Sequence, residues 1–398
     1  MTDLDLRPVS PLLRTVRRSA PALLGYAAVR VLGLAVLTAW SAARGESARA
    51  LLSARWDSLW YVRVAEFGYG YEVRLPNGEV HSNLAFFPLL PWLERAVSAV
   101  TGLPYADAGL LVTVPASLAA ACGIFAVTDR LYGRRAGTCA VLLWAALPVG
   151  VVQSMAYTEA LFTALAAWSL YAVLTGRWVA AGALAALSGL TRPVGVAVAA
   201  AVWAAAIASY VRERRAPGNG GGTRGRRPGG ASVPRRALGM LLAPLGAAGY
   251  VLWVGHRTGG GPFGYLDVQA GWGNGFDGGL AFARFVAGRF ALPFPSALAG
   301  PALVAGVALV VWLYVMGVRR RQPLPLLVYS GVVAVLALCA SGYFGSKPRL
   351  LMPAFPLLLP LATALSRLRT ARSAPVVAAL AAGSAVYGAL WLNGSGPP

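Results

Sequence analysis

Acidic side chains are scarce in this chain. It has 14 Asp and Glu against 35 Lys and Arg, and charged residues make up only 12% of its 398 positions. Soluble domains carry about 25%, so a surface this poor in charge is not one that water solvates. Lysine is almost missing, since Lys347 is the only one. Arginine in its place, with abundant Ala and Gly, fits a GC-rich bacterial genome. The three cysteines, Cys122, Cys139 and Cys339, lie inside apolar runs with no metal or redox spacing, which leaves them a packing role. The two histidines, His81 and His256, stand far apart. There is no His/Cys cluster of metal-binding spacing and no P-loop, so a nucleotide-dependent cytoplasmic enzyme is not the expectation. Strand-like alternation is absent, and no internal repeat stands out.

Long apolar runs fill the chain instead. Hydrophobic residues are 57% of the sequence and the mean hydropathy is +0.62. A spanning helix needs about 20 mostly apolar residues, and helices satisfy their own backbone in lipid. The expected class is all-α: a polytopic integral membrane protein in one domain over 1–398. The net charge of +21 sits in short stretches between apolar runs, as the positive-inside rule expects, and nucleic acid is not an expected partner. Residues 1–20, with Arg7, Arg14, Arg17 and Arg18, read as a cytoplasmic basic tail before a retained first helix.

Eleven spans are expected: 21–43, 107–129, 137–153, 158–175, 178–191, 193–211, 237–256, 297–318, 324–341, 350–366 and 374–393. The stretch 85–103 contains Pro88, Pro91, Glu94 and Arg95. Reading it as an interfacial helix places every later basic loop (130–136, 212–236, 319–323, 367–373) on the cytoplasmic side. Residues 44–106 then form a large outer loop, and 212–236, rich in Gly, Pro and Arg, a flexible basic linker.

Ionisable groups at membrane depth are costly and so mark function by default. Arg55-Trp56-Asp57-Ser58-Leu59-Trp60-Tyr61 opens the first outer loop. On a helix, Asp57 and Tyr61 share a face, as do Trp56 and Trp60, so a carboxylate would be held against the membrane surface by aromatic anchors. An anchor with an Arg55–Asp57 surface pair explains the same residues. Glu159, in Tyr157-Thr158-Glu159, opens an outer helix, either as a cap or as a second carboxylate facing the same cavity. Arg192, Lys347 and Arg349 are basic residues on the outer side, against the positive-inside trend, and suit a phosphate or snorkelling to lipid heads. Gln269, Trp272 and Asn274 in the late outer segment 257–296 could hydrogen-bond and stack on a sugar.

Arg55-Trp56-Asp57…Trp60-Tyr61, Phe67-Gly68-Tyr69 and Ala85-Phe86-Phe87-Pro88-Leu89-Leu90-Pro91 resemble the first luminal loop of the GPI mannosyltransferase 2 (PIG-V) family. Tyr157-Thr158-Glu159-Ala160-Leu161-Phe162, Leu190-Thr191-Arg192-Pro193-Val194-Gly195 and Lys347-Pro348-Arg349 with Phe355-Pro356 resemble its later blocks, over roughly 22–366. The resemblance implies the GT-C membrane glycosyltransferase architecture, a polyprenyl- or dolichyl-phosphate sugar donor, a mannose, and an acidic residue of the first outer loop serving the reaction. Where many such enzymes carry paired acids, Asp57 stands alone, which leaves no support for a divalent metal. The acceptor, whether lipid, glycan or protein, does not carry over to a bacterial chain.

The expected chemistry is an inverting transfer on the extracytoplasmic face of the cell membrane. Asp57 is the general base and Glu159 a supporting acid. Arg192, Lys347 and Arg349 bind the donor phosphate, and Arg55, Trp56, Trp60, Tyr61, Gln269 and Trp272 bind substrate. A lipid-linked sugar flippase or another transporter is the alternative, followed by a structural membrane protein.

Overall fold

The computed structural model describes residues 11–215 and 233–394, with side chains from Arg17 onward. Residues 1–10 of the basic tail and 216–232 of the expected linker lie outside the described residues. The rest is a helical bundle, as its apolar runs require. Among the described residues six helices are long and apolar enough to cross a membrane: Arg17–Ala43, Tyr105–Tyr132, Pro193–Arg215, Val233–Thr258, Ser296–Arg319 and Thr370–Leu392. A pair bent by 75°, Phe344–Leu351 with Phe355–Arg367, makes a seventh if counted as one span.

The eleven expected spans all fall on helices, but length divides them. Thr158–Leu174, Trp178–Gly189 and Leu324–Cys339 are shorter apolar helices. The run 137–153 is helical only to Ala145, then turns through a 3-10 segment at Gly150–Ser154. An apolar run need not be a crossing, because apolar residues also pack against neighbouring helices, as Ala160, Phe162 and Leu170 do in Thr158–Leu174. The Leu89–Thr101 helix, 13 residues, rises only about 20 Å, too short for a crossing of about 30 Å.

Tyr105–Tyr132 is the most buried of the long helices and Ser296–Arg319 the least. The former packs against Thr158–Leu174, Arg134–Ala145, Leu89–Thr101 and Pro11–Ala43. One large core surrounds Trp144, Tyr26, Phe125, Tyr157, Phe162, Tyr329 and Phe355. Where helices meet most closely the residues are small: a Cβ on Gly182 would strike Gly239, and one on Gly246 would strike the Ala186 carbonyl. Membrane helices approach each other in this way.

One end of the bundle gathers the basic loops. Arg18 pairs with Asp129 at 2.7 Å, Arg135 donates to the Leu368 carbonyl, and Arg320 donates to the Pro360 carbonyl at 3.1 Å. The opposite end holds the helix Asp57–Phe67, a two-stranded antiparallel hairpin (Glu72–Arg74 with Val80–Ser82) and the Leu89–Thr101 helix. The hairpin is a small β element that the all-α expectation lacked. A smaller core of Leu84, Phe87, Tyr250, Val254 and Tyr265 seats this outer layer on the bundle.

Candidate active site

The charged residues singled out in the sequence meet at the end of the bundle opposite the basic loops. Asp57 begins the helix Asp57–Phe67, Glu159 lies in the first turn of Thr158–Leu174, Arg192 precedes the turn Pro193–Gly195, and Arg349 lies in Lys347–Leu351. Arg349 Nη1 donates to Asp57 Oδ2 at 2.8 Å, and its Nε lies 3.4 Å from Glu159 Oε1. Arg192 Nη1 pairs with the same Glu159 oxygen. The order is Asp57, Arg349, Glu159, Arg192, with positive and negative groups alternating.

Exposure divides the four. The Glu159 side chain is 1% exposed, Arg349 9% and Arg192 12%, but Asp57 is 29% exposed. Buried charges persist only when paired, so Glu159 is the counter-charge of two arginines. It supports the site and has almost no free surface with which to touch a substrate. Asp57 is the acid that faces outward.

The local chain is built to hold Asp57 there. Trp56 has φ 53° and ψ −125°, a left-handed-side conformation that a side chain rarely adopts. The Ser58 hydroxyl donates to the Arg55 carbonyl at 2.6 Å and accepts from Arg55 N at 3.1 Å, fixing the turn. Asp57 N donates to the Tyr157 hydroxyl at 3.3 Å, and the Tyr61 and Thr158 hydroxyls meet at 3.2 Å. Each residue of Tyr157-Thr158-Glu159 therefore bonds to the site: Tyr157 to the Asp57 backbone, Thr158 to Tyr61, Glu159 to both arginines. Tyr157 also lies under the Arg349 guanidinium, 5.1 Å from ring centre to Cζ. Tyr157 and Thr158 had no assigned role from sequence, although the motif that holds them was visible. Burial, and then the neighbouring Asp57 charge, raise the Tyr61 phenol far above its ordinary range, so it stays protonated.

The aromatic wall is continuous. Trp60 stacks on Phe86 at 5.6 Å and meets Trp272 edge-on at 4.8 Å. Arg55 covers Trp56 and donates to the Leu392 carbonyl of the last helix, whereas Asp57 pairs with Arg349, so the alternative Arg55–Asp57 surface pair is not what the structure shows.

Three expected site residues are otherwise engaged. Lys347 is buried, and its ammonium donates to the carbonyls of Ala337 (2.8 Å), Leu338 (3.4 Å) and Ala340 (2.9 Å), over the rings of Phe282 and Phe344. An ammonium has three donors, and all three go to carbonyls freed at the end of Leu324–Cys339, away from the Asp57 cluster. Gln269 donates to the Tyr265 hydroxyl and accepts from Asn274, and Trp272 stacks on His81 and donates to the Ser82 carbonyl. Trp272 fastens the segment 257–296 to the hairpin, and Gln269 ties Tyr265 to Asn274 within that segment.

Two buried ionisable groups escaped the sequence reading. Arg30, inside the first apolar helix, donates to the carbonyls of Ala145 and Gly150, where Arg134–Ala145 ends within the bundle. A lone basic residue in the first span was the available signal. Glu94 is fully buried, its oxygens without a hydrogen-bond partner among the described residues.

No described group of three His, Cys, Asp or Glu could hold a metal. Asp57 and Glu159 are each taken by an arginine, so these residues do not fit a divalent cation.

An apolar groove of about 690 Å³ is lined by Tyr69, Pro88, Trp92, Ala186, Leu190 and Gly249 among others. Leu190 lies two residues from Arg192, and its carbonyl accepts from Leu89 N at 3.0 Å.

Residues 81–217 match the model of a family described as dolichyl-phosphate-mannose-protein mannosyltransferase. The structure is similar to that of ArnT from Cupriavidus metallidurans bound to undecaprenyl phosphate, with 17% identity, a TM-score of 0.51, and coverage of 90% of this chain and 62% of that one. The chain has the GT-C fold. It thus spans about three-fifths of the ArnT chain. The oligosaccharyltransferase of Archaeoglobus fulgidus, in complex with zinc and sulfate, aligns at 15% identity over 93% of this chain and 53% of its own, with a TM-score of 0.47. No curated protein matches the chain.

Proposed function

We propose that this protein is an inverting membrane glycosyltransferase that moves a sugar, mannose in our reading, from a polyprenyl phosphate to an acceptor on the extracytoplasmic face. The observation that carries this reading is the alternating cluster in which Asp57 alone turns a carboxylate outward, beside two arginines. The matched family model, whose description names a dolichyl-phosphate-mannose donor, supports the donor class and the sugar. The GT-C fold is consistent with both.

Asp57 takes the proton of an acceptor hydroxyl. That oxygen attacks the anomeric carbon from the side opposite the phosphate. The bond from the anomeric carbon to the phosphate oxygen breaks, and polyprenyl phosphate leaves with the electron pair. Direct displacement inverts the configuration. Arg192 and Arg349 stabilise charge gathering on the phosphate. Trp56, Trp60 and Tyr61 form the wall on the substrate side. The isoprenoid chain lies in the groove that ends at Leu190, with its phosphate directed toward Arg192. The positive-inside rule, applied to the basic loops at the other end, supports an extracytoplasmic position for Asp57.

The test is direct. Purified protein in detergent is incubated with polyprenyl-phosphate mannose and a panel of lipid, glycan and peptide acceptors. Release of polyprenyl phosphate with formation of a new glycoside supports the reading. Movement of the lipid-linked sugar between leaflets of a liposome without bond cleavage sinks it in favour of a transporter.

A further inference from the structure

The four charges of the cluster cancel: Asp57 and Glu159 against Arg192 and Arg349. A neutral cluster offers no surplus positive charge to an anionic donor. Arg349 is nevertheless the residue nearest both tasks, because one of its nitrogens holds the outward-facing Asp57 and another faces buried Glu159. Glu159 keeps Arg349 in place whether or not Asp57 also holds it.

We propose that Arg349 is handed from Asp57 to the donor phosphate, so that occupation of the site by the phosphate and release of the base are one event. This rests on the reading of Asp57 as base and of the arginines as phosphate ligands. With the site empty, the guanidinium occupies Asp57 Oδ2 at 2.8 Å, so an acceptor hydroxyl must compete with it for that oxygen. A bound phosphate competes for the same donors, and Asp57 is freed beside the acceptor hydroxyl. During transfer the proton moves onto the Asp57 carboxylate, which becomes neutral, while the electron pair of the breaking bond goes to the phosphate oxygen. Negative charge disappears from one partner of Arg349 as it appears on the other. Paired N–H donors suit a guanidinium for both oxyanions, and only Asp57 of the two carboxylates is exposed enough to part from it at small cost.

The measurement is binding of undecaprenyl phosphate to detergent-purified protein, in a cycle of four chains: wild type, Asp57→Asn, Arg349→Lys and the double variant. Lysine keeps the buried charge beside Glu159 if the arginine is needed for folding, and a melting scan confirms that each chain is folded. Asp57→Asn is expected to bind the phospholipid roughly three- to tenfold more tightly than wild type, a coupling of the size found between contacting residues. In the Arg349→Lys background, without the paired donors, that gain is expected to shrink to less than about twofold. Equal gain in both backgrounds overturns the proposal, because the effect is then plain repulsion between Asp57 and phosphate. No gain, or weaker binding, by Asp57→Asn overturns it as well. Failure of the base reading is separate: it shows as retained glycosyl transfer by the Asp57→Asn protein, whatever its affinity for the lipid.

Discussion

Arg349 and Asp57 lie 292 residues apart in the chain and 2.8 Å apart in space. Their contact joins the late helix Lys347–Leu351 to the first outer helix, and Glu159 joins both to the turn at Arg192. The site therefore has no local version. It exists only when four separate stretches of the chain, around residues 57, 159, 192 and 349, are packed at one end of the bundle.

Replacing Asp57 by Asn keeps the shape of the side chain and removes its basicity. The expected loss in transfer rate is about 10²–10⁴-fold, the usual contribution of a positioned general base. Asp57 is partly exposed and Arg349 retains Glu159, so the fold is expected to survive. Transfer assays on protein that still melts cooperatively and still binds undecaprenyl phosphate provide the check, and near-wild-type rates would remove Asp57 from the mechanism.

Glu159→Gln is expected to act differently, through stability. It leaves two buried guanidinium groups without their shared counter-charge, and breaking a buried pair from one side costs about 3–5 kcal/mol. Adding Arg192→Gln removes one stranded charge and is expected to recover part of the loss. Melting midpoints of the single and double variants decide this. If Glu159→Gln melts like wild type, the cluster is not the structural unit described here.

What the sequence revealed and what it hid follow from how charge is distributed. In so apolar a chain each acid or outer arginine is conspicuous, so Asp57, Glu159, Arg192 and Arg349 could be named before their meeting was known. Lys347 was equally conspicuous, but the carbonyls that use its three donors belong to a helix end whose position is a tertiary fact. Trp272 and Gln269 likewise carry sugar-binding chemistry in isolation, and only the folded contacts show Trp272 held by the hairpin and Gln269 by Tyr265 and Asn274. Arg30 was masked by the hydrophobicity of its own helix. Hydropathy does not sort the eleven expected spans by length, because it measures the absence of water and does not distinguish lipid from protein around a helix. The short helices Trp178–Gly189 and Leu324–Cys339 show both surroundings, with Ala181 and Val333 buried and Leu187 and Val335 exposed.

Glu94 provides a prediction about pH. Burial without a hydrogen-bond partner raises its carboxyl well above the ordinary range. The folded protein thus holds a proton that the unfolded chain releases near pH 4.3. Stability from this group is complete below that pH and falls as pH rises toward the raised folded value, with a slope of at most about 1.4 kcal/mol per pH unit. Glu94→Gln substitutes a neutral group of the same shape. Its melting midpoint is expected to equal or exceed that of wild type at pH 7 to 8 (~7–8), with a flatter dependence on pH across the acidic range. A variant as pH-dependent as wild type would show that other groups set the slope. The room Glu94 occupies exists because residue 109 is glycine, where a Cβ would come within 2.6 Å of its Oε1. Gly109→Ala is accordingly expected to destabilise the contact between the Leu89–Thr101 and Tyr105–Tyr132 helices.

The groove lined by Leu190 can be tested without touching the charged cluster. Gly249 lines it, and a Cβ there meets nothing within 4 Å, so Gly249→Phe adds a ring to the groove without displacing protein atoms near the backbone. An isoprenoid chain loses its place against Leu190 and Ala186, and each buried methylene forgone costs about 0.8 kcal/mol. Displacing two or three carbons should raise KM for a long-chain donor roughly tenfold or more. A donor with a chain too short to reach Gly249 should be handled as by wild type, because its phosphate and sugar meet an unchanged site. Gly306→Phe is the control: its Cβ also meets open space, but it lies on the lipid-exposed Ser296–Arg319 helix and does not line this groove. Selective loss with the long donor in Gly249→Phe alone supports the groove as the path of the lipid chain. Equal losses with both donors, or an equal effect from Gly306→Phe, would place the chain elsewhere on the bundle while leaving the chemistry assigned to Asp57 to be judged by its own variant.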